Sequence, residues 1–376
     1  MNNSKLYIGI LSGTSMDSID CGIYRFSNNH HEMLAFYENE YPSKIKNKIN
    51  EDLSTLQKNY LKSPLNISLA NEYGNVINKM LLKENIKNDD IKAIGMHGQT
   101  ISHTKKNNKN VSIQLGDPNI LVEKTNIKVV SDFRNHDIEN GGEGAPLAPL
   151  FHDYIFKNIK KKRIIVNIGG ISNVSQLTNS LDVVSGYDAG PGNILIDSWM
   201  RENFNAEYDK DGLQASSHRI IDDLLDVFMD DDYFKMQRPK STTTEYFCHS
   251  WILHKLNLIK KDYSKGDILS TLTMFTALSI IKSIEKNYSK CDEIYICGGG
   301  AFNITLMSNL SDVADQIFSN KVVVSSTELL DFNPKSVEAG LFAWLAMSRI
   351  NKHSLDYTNI TGSKKPAILG NIYNPR

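Results

Sequence analysis

Two stretches, "LYIGILSGTSMDSIDCGIYRF" (residues 6–26) and "RIIVNIGGISNVSQL" (residues 163–177), share one layout. Each begins with an apolar run rich in β-branched residues, passes through a turn of glycine and small hydroxyl residues, and returns to apolar alternation. This pattern is typical of a β-hairpin with a glycine-bearing loop. Because the layout recurs in the second half of the chain, it predicts an internal duplication with one nucleating hairpin in each half.

The segments that follow each hairpin predict further strands and helices. Short apolar runs at residues 91–103 and 127–133 predict buried strands in the first half. The second half is more helical, since three of its segments have a helical period: 219–231, 268–288 and 337–350. A last apolar run, "DEIYIC", leads into a triple-glycine turn, the kind of corner where α/β sheets usually hold ligands.

The length of the chain predicts two lobes with a cleft between them. It has 376 residues, whereas an ordinary domain has about 100–200. Glycines and prolines interrupt the periodicity over residues 132–149. We therefore expect an N-terminal lobe, 1–134, with the first hairpin, and a C-terminal lobe, 135–376, with the second. The C-terminal helix could pack back on the first lobe.

The composition excludes several classes of partner. With 42 basic and 43 acidic side chains the net charge is −1, so no global field attracts nucleic acid or an anionic membrane. The N-terminus lacks a signal-peptide pattern, and no run approaches the roughly 18 apolar residues of a membrane span. The four cysteines form no CxxC pair or zinc-type spacing, which favours free thiols in the cytoplasm.

Three glycine-bearing turns, at residues 12–15, 169–173 and 298–300, each follow a predicted strand. Glycine leaves backbone N–H groups accessible, and small hydroxyls beside them can surround phosphate oxygens. Any one of these could be an ordinary tight turn, but three in one chain favour a nucleotide. The chain has no GxxxxGK[ST] motif, and neither hairpin turn opens a helix, which disfavours Walker-type and Rossmann sites.

Asp188 lies in "GYDAGPGN" (residues 186–193), among three glycines and a proline. The fold gains nothing obvious from a carboxylate at this position. One interpretation is that Asp188 bonds the amides of a turn. The other is that it is a general base, since water is a weak nucleophile unless a positioned carboxylate takes its proton.

The order of two hairpin phosphate loops and a later glycine turn resembles the acetate and sugar kinase, Hsp70 and actin superfamily. That resemblance implies an α/β, two-lobed, actin-like ATPase fold with duplicated ribonuclease-H-like domains and a central cleft. Seven blocks, in order and over nearly the whole chain, resemble the anhydro-N-acetylmuramic acid kinases more narrowly: "SGTSMDSID", "HGQT", "DFRNHDIENGGEGAPLAP", "NIGGISNVS", "GYDAGPGNILID", "PKSTTTEYF" and "EAGLFAWLA".

The resemblance implies an enzyme that uses ATP and water to convert 1,6-anhydro-N-acetylmuramic acid into N-acetylmuramic acid 6-phosphate in cell-wall recycling, and a homodimer. In this reaction Asp188 would take the proton of the attacking water. The departing 6-oxygen would be captured by the γ-phosphoryl group, so the second, protonating carboxylate of an ordinary glycosidase is not needed.

The resemblance also implies the site residues. For ATP these are Gly13, Thr14, Ser15, Met16, Asp17, Ser18, Ile19 and Asp20, with Gly169, Gly170, Gly298, Gly299 and Gly300. For the sugar they are His97, Gln99, Gly190, Pro191, Gly192 and Asn193, with Glu338 as a second catalytic residue. Asp17 or Asp20 would hold Mg²⁺ through water. The alternatives are turn caps for the aspartates, a structural histidine, and for Glu338 a favourable charge at a helix N-terminus.

The chain departs from the family pattern at Ser18, Ala189, Glu143 and Thr243–Thr244, where glycine, threonine, glutamine and a Gly-Arg pair are common. The missing arginine removes a candidate clamp for the lactyl carboxylate of the sugar. Three other functions stay open on the residues alone: another sugar kinase that uses Asp188 to deprotonate a hydroxyl, a catalytically silent sugar-responsive regulator, and a metal-independent glycosidase.

Overall fold

The computed structural model describes residues 5–27, 30–106, 109–179, 183–237, 240, 242, 245–288 and 290–375. The chain divides into a first unit, Met1–Ile155 with Ser336–Arg376, and a second unit, Phe156–Lys335. The boundary that we expect between residues 134 and 135 differs from this division, because 135–155 group with the first unit. The chain also returns to the first unit after Lys335.

The first unit is a sheet with helices. Its strands are β1 (Leu6–Ser12), β2 (Ser18–Ser27), β3 (His30–Glu40), β4 (Ile91–Lys106), β5 (Lys109–Leu115), β6 (Val129–Ser131) and β12 (Asn371–Tyr373). Its helices are α1 (Ser43–Asn59), α2 (Pro64–Lys83), α3 (Pro118–Thr125), α4 (Phe133–Glu139), α5 (Ala148–Phe156) and α13 (Val337–Ile350). The strand order is β12-β6-β4-β1-β2-β3, and β5 pairs with β4.

The second unit has a smaller sheet and more helix. Its strands are β7 (Arg163–Ile168), β8 (Ile171–Gln176), β9 (Ser185–Pro191), β10 (Glu293–Cys297) and β11 (Val323–Ser326). Its helices are α6 (Ile194–Phe204), α7 (Leu213–Ser216), α8 (Asp222–Met229), α9 (Asp232–Lys235), α10 (His249–Ile259), α11 (Lys265–Asn287) and α12 (Ile304–Ile317). The strand order is β11-β10-β7-β8-β9.

Five strands of the first sheet have the same topology as the five strands of the second. In each, the first three strands form an antiparallel meander, β1-β2-β3 and β7-β8-β9. The next long strand, β4 or β10, lies parallel to the first strand on its other side, and a further parallel strand, β6 or β11, follows it. This is the ribonuclease-H-like arrangement, present twice. The duplication predicted from the two hairpins, and the α/β actin-like fold class, are therefore confirmed.

The C-terminal helix α13 packs closely on β1 and β4 because two glycines leave room for its backbone. A Cβ on Gly9 would lie 1.7 Å from the carbonyl oxygen of Ala339, and one on Gly95 would lie 1.9 Å from that of Phe342. The segment "GLFAWLAM" within α13 is buried throughout, so it belongs to the core of the first unit.

Among the described residues, one helix, α11, is long and apolar enough to cross a membrane by length and composition. Its most apolar stretch is 78% buried within the protein, as in the core helix of a globular domain. The helix begins at Ser264, whose side chain accepts a hydrogen bond from the backbone N–H of Asp267 at 3.0 Å. It packs against α12 and β9 and thereby supports the strand that carries Asp188.

Candidate functional site

The turn between β1 and β2 is held by its own backbone and by Gln99. The N–H of Met16, which has a φ of 52°, donates to the carbonyl of Gly13 at 3.1 Å. The side-chain amide of Gln99 donates to the same carbonyl at 3.1 Å. Gln99 is 1% exposed, and its Oε1 has no hydrogen-bond partner among the described residues. The structure thus brings Gln99 to the predicted phosphate turn, with a buried acceptor atom still to be satisfied.

The two aspartates predicted to hold magnesium have other partners in this structure. Asp17 is exposed and lies 3.1 Å from the ammonium group of Lys46, while Asp20 accepts a hydrogen bond from Ser18 Oγ at 2.7 Å. Among the described residues no three His, Cys, Asp or Glu side chains form a metal-binding group. Magnesium bound mainly through water and phosphate needs only one or two carboxylates, so the donor chemistry of this pair fits that limited role. Magnesium stays a prediction.

His97 lies beside a cavity of about 230 Å³ in the first unit, with Arg134 in the same wall. Arg134 Nε donates to His97 Nε2 at 2.8 Å, and Arg134 Nη1 donates to the carbonyl of Gly144 at 2.9 Å. Burial, together with the charge of Arg134, holds the pKa of His97 well below its ordinary value. The ring is therefore neutral, accepts at Nε2 and has its proton on Nδ1.

The cavity beside His97 has a largely polar wall. Besides Arg134 it includes Asn66, Gln114, Asp132 and Asn135. A guanidinium group is the side chain best suited to a carboxylate, which it can bind through two parallel hydrogen bonds. Reasoning from the sequence missed Arg134, although it stands inside the block "DFRNHD", the only signal that could have identified it.

Asp188 lies in β9 of the second unit and is 8% exposed. Its Oδ1 accepts a hydrogen bond from Asn173 Nδ2, and its Oδ2 accepts one from the backbone N–H of Thr242 at 3.0 Å. Two N–H donors on one carboxylate favour its charged form, the form that can take a proton. Asp188 is therefore a fixed carboxylate within a strand. Its hydrogen bond from the backbone N–H of Thr242 is also the kind of contact expected if Asp188 only bonds backbone amides.

The backbone of Asp188 is fixed as well. Its N–H donates to the carbonyl of Lys240 at 3.2 Å, and its carbonyl accepts from the hydroxyl of Tyr233 at 2.7 Å. The ammonium group of Lys240 lies 4.3 Å from the centre of the Tyr233 ring, and burial lowers the pKa of this lysine to about 8. We did not expect Tyr233, Lys240 or Thr242 as partners of Asp188. Of all its partners, only Asn173 could have been predicted from the sequence, because the two residues lie opposite each other in the β8–β9 pairing.

The other predicted residues of the second unit converge at one edge of its sheet. The N–H of Gly192 donates to Gly170 O at 2.8 Å, and that of Asn193 donates to Gly169 O at 2.8 Å. The turn that begins at Gly298 lies against Ile168, since a Cβ on Gly298 would come within 2.7 Å of Ile168 O. The strands β7, β9 and β10 run in the same direction and all end at this edge. The turns predicted for ATP and for the sugar are thus neighbours in the second unit.

Three of the predicted ligand-contacting glycines are not required by the protein's own backbone or packing. Gly13, Gly169 and Gly299 lack a positive φ, and a Cβ on them would lie 3.8, 3.9 and 3.6 Å from the nearest described heavy atom. Every other glycine whose surroundings are described has a positive φ or would place a Cβ closer than 3.0 Å to another atom. One such open glycine stands in each predicted nucleotide turn. This fits a ligand that approaches the backbone where a Cβ would stand.

The remaining predicted residues lie as follows. Glu338 is exposed in the first turn of α13, where an acidic side chain is favourable whatever its role, so its contact with sugar stays a prediction. Ala189 is fully buried in β9, and Ser18 bonds Asp20. Glu143 donates its backbone N–H to Thr361 O at 2.9 Å. Thr243 and Thr244 lie outside the described residues.

Comparison with known proteins identifies the family of the chain. The family model described as anhydro-N-acetylmuramic acid kinase matches residues 5–375. An anhydro-N-acetylmuramic acid kinase of Legionella pneumophila strain Corby is 37% identical over 373 residues, which cover 98% of each chain. One of Shewanella sp. strain ANA-3 is 36% identical over 381 residues, which cover 100% of both chains.

Component A of (R)-2-hydroxyglutaryl-CoA dehydratase from Acidaminococcus fermentans has 15% identity and a TM-score of 0.44, and the match covers 92% of this chain and 100% of that one. We draw no functional inference from a similarity this low. The full-length match to the family model and to its curated members is decisive: the chain belongs to the anhydro-N-acetylmuramic acid kinase family.

Proposed function

We propose that this protein is an ATP-dependent kinase that opens 1,6-anhydro-N-acetylmuramic acid with water and phosphorylates it to N-acetylmuramic acid 6-phosphate, in the recycling of cell-wall sugar. The observation that supports this most is the arrangement of Asp188. Its carboxylate is buried and accepts hydrogen bonds from two N–H donors, and its backbone is fixed by neighbours as well. A base that is held in place needs little reorganisation when it takes a proton.

In the proposed reaction Asp188 accepts one proton from a water molecule as the water oxygen attacks the anomeric carbon. The bond between that carbon and the 6-oxygen breaks, and the electron pair goes to the 6-oxygen. The proton on Asp188 then passes to solvent, which returns the carboxylate to its starting form. Asn173 and the N–H of Thr242 hold the carboxylate so that only its remaining lone pairs face the water.

For ATP we propose the open glycines Gly13, Gly169 and Gly299 with their neighbouring backbone N–H groups. Thr14 and Ser15 add hydroxyl donors to the first turn. When bound, ATP supplies the phosphoryl group that the 6-oxygen accepts. Asp17 and Asp20 are the proposed carboxylates for a hydrated Mg²⁺, and binding of the ion requires Asp17 to exchange its contact with Lys46.

For the sugar we propose the predicted residues together with one that the structure adds. These are His97, Gln99, Gly190, Pro191, Gly192, Asn193, Glu338 and Arg134. Arg134 replaces the arginine that the chain lacks at residues 243–244 as the candidate partner of the lactyl carboxylate. The neutral His97 ring keeps the guanidinium in one orientation through its Nε2.

The test is incubation with Mg-ATP and the anhydro sugar, followed by mass analysis of the product. We expect one equivalent of ADP for each sugar phosphate, with the mass of the substrate increased by one water and one phosphoryl group. A product that lacks the added water would support an ordinary sugar kinase. Absence of any product would support the silent regulator.

We also propose a cytoplasmic homodimer. Cys21, Cys248 and Cys291 form no disulfide, which fits a reducing compartment. Light scattering of the purified protein tests the dimer, since one chain has a mass of 42.4 kDa. A mass of one chain at micromolar concentration would contradict it.

A further inference from the structure

Tyr233, Lys240 and Thr242 all contact Asp188, and all lie in one segment of the second unit, residues 233–246, of which the structure describes 233–237, 240, 242, 245 and 246. Tyr233, at its start, donates to the carbonyl of Asp188 at 2.7 Å. The backbone carbonyl of Lys240 accepts from the N–H of Asp188 at 3.2 Å, and the N–H of Thr242 donates to the carboxylate of Asp188 at 3.0 Å. The position of this segment therefore sets the position of both the backbone and the carboxylate of Asp188.

Both ends of the 233–246 segment meet at a single buried carboxylate, that of Asp231. Its Oδ1 accepts from the backbone N–H of Tyr233 at 3.1 Å and from the hydroxyl of Tyr246 at 2.7 Å. One oxygen atom thus joins the two ends of the segment whose middle residues contact Asp188. Through this geometry Asp231 can set the position of Asp188 by way of the segment between them.

The other oxygen of Asp231 anchors this arrangement to helix α10. Oδ2 accepts from Trp251 Nε1 at 2.9 Å and lies 3.2 Å from the ammonium group of Lys255. Lys255 also donates to the carbonyl of Asp230 at 2.8 Å. The side chains of Asp231 and Lys255 are only 8% and 7% exposed. The carboxylate therefore has four donors around it, three of them from the buried residues Tyr233, Trp251 and Lys255.

A buried ion pair is a poor device for stability alone. Replacing such a pair by apolar side chains of similar volume is often neutral or stabilising, because burial of two charges requires their desolvation. What a buried ion pair can provide is orientation, because a carboxylate that accepts from several donors holds them in a defined arrangement. A positional role explains why a charged pair stands among the aromatic side chains of Tyr233, Phe247 and Trp251.

We infer that Asp231 and Lys255 are positioning residues for Asp188: their ion pair closes the 233–246 segment and so holds the hydrogen bonds from Tyr233 and Thr242 onto the proposed base. The inference rests on the proposed function, because it concerns the residue that we assign as the base. The contacts that carry the inference run from Asp231 through Tyr233 and Tyr246 to the segment that contacts Asp188.

Asp231→Asn tests this with little change in volume. The amide has one oxygen and one NH₂ group, so it cannot accept at both ends. If the NH₂ points to Trp251 and Lys255, it faces two donors; if it points the other way, it faces the N–H of Tyr233. In the first orientation the oxygen still joins both ends of the segment, but the anchor on Trp251 and Lys255 is lost. In the second orientation the hydrogen bond from Tyr233 is lost, and with it the closure.

The matched control is Glu293→Gln. Glu293 pairs with Arg163 at 2.8 Å in the same unit, and both side chains are also mostly buried, at 14% and 11% exposure. This pair lies at the starting ends of β10 and β7, whereas Asp188 is paired through Asn173 with Asn167 near the other end of β7. The control therefore disrupts an ion pair of the second unit away from the proposed base.

We expect Asp231→Asn to lower kcat by about 100-fold, the effect of a displacement of about 1 Å at a reacting group, while the Kd for ATP stays within about twofold. Loss of the N–H of Thr242 also makes the charged carboxylate less favourable, so the acidic limb of the kcat profile moves to higher pH. Glu293→Gln should leave that limb in place. Equal losses and an unmoved limb in both variants would overturn the proposal.

A second measurement is independent of turnover. Carboxyl ¹³C NMR, with the Asp188 signal assigned by its loss in Asp188→Asn, follows the titration of Asp188 directly. We expect its midpoint to rise in Asp231→Asn and less so in Tyr246→Phe, a milder variant that removes one donor, and to stay unchanged in Glu293→Gln. Unchanged midpoints in both Asp231→Asn and Tyr246→Phe would refute the proposal. A wild-type protein that forms no product would instead refute the proposed function.

Discussion

The substitution Gly13→Ala should affect nucleotide binding without destabilising the fold. The φ of Gly13 suits any residue, and the nearest described heavy atom to an added Cβ is Ser15 Oγ at 3.8 Å, an ordinary van der Waals distance. The methyl group therefore has room in the protein. It stands, however, where we propose that phosphate approaches the backbone.

We expect Gly13→Ala to stabilise the fold and to weaken the binding of ATP. Gly→Ala at a compatible φ stabilises a protein by about 0.4–1 kcal/mol, because the unfolded chain loses conformational freedom. A methyl group forced into a filled contact costs about 1–3 kcal/mol. For ATP this corresponds to a Kd higher by about 5–150-fold. Gly299→Ala should behave in the same way.

The assay combines urea unfolding with calorimetric titration of ATP. Gly9→Ala is the control, since its Cβ would overlap the carbonyl of Ala339 at 1.7 Å and must destabilise the packing of α13 on β1. We expect Gly13→Ala to unfold at the same or higher urea concentration than wild type and to bind ATP more weakly. Unchanged ATP affinity in Gly13→Ala would refute the assignment of this turn to the nucleotide.

Three further predictions concern the candidate site and the histidines. Asp188→Asn should lower kcat by about 10²–10⁴-fold with ATP affinity retained, as expected for loss of a general base; near-normal turnover would contradict that role. Arg134→Lys should raise the KM for the sugar and leave the Kd for ATP unchanged in calorimetry, because lysine cannot bind a carboxylate through two parallel bonds; equal effects on both ligands would count against it. Burial lowers the pKa of His152 to about 3 and, with the charge of Arg134 as a second cause, that of His103 to about 4, so both are neutral in the fold. Unfolding releases them to protonate below about pH 6.5, and each should therefore lower the free energy of unfolding by about 1.4 kcal/mol per pH unit as pH falls from 6.5 toward its folded pKa. Urea unfolding at pH 7 and pH 5 measures this, and a slope that is not reduced in His152→Gln would exclude His152 as a contributor.

The local features of the fold could be predicted from the sequence. Both hairpins and the helix over residues 337–350 follow from short-range periodicity, and the structure has them where we expected. The exact domain boundaries could not be predicted in the same way, although we expected that the C-terminal helix could pack back on the first lobe. They depend on α13 returning to β1 and β4 over Gly9 and Gly95, and this packing has no local signature.

The candidate site likewise has residues that the sequence predicts and residues that only the tertiary fold reveals. Asp188 and the glycine turns stand out because their residue types are unusual for a buried strand end. The partners of Asp188 do not, since Tyr233 and Thr242 meet it only through the tertiary fold. Arg134 was hidden for the same reason, because its contact with His97 joins two distant segments of the first unit.

The central claim is that Asp188 activates water, and the fate of the water oxygen tests it most directly. The reaction is run in ¹⁸O-labelled water, quenched early, and compared with unlabelled product kept in labelled water for the same time, to correct for exchange at the anomeric carbon. We predict one ¹⁸O on the anomeric carbon of the sugar and none in the phosphate group. A phosphorylated product without label at the anomeric carbon would contradict the account.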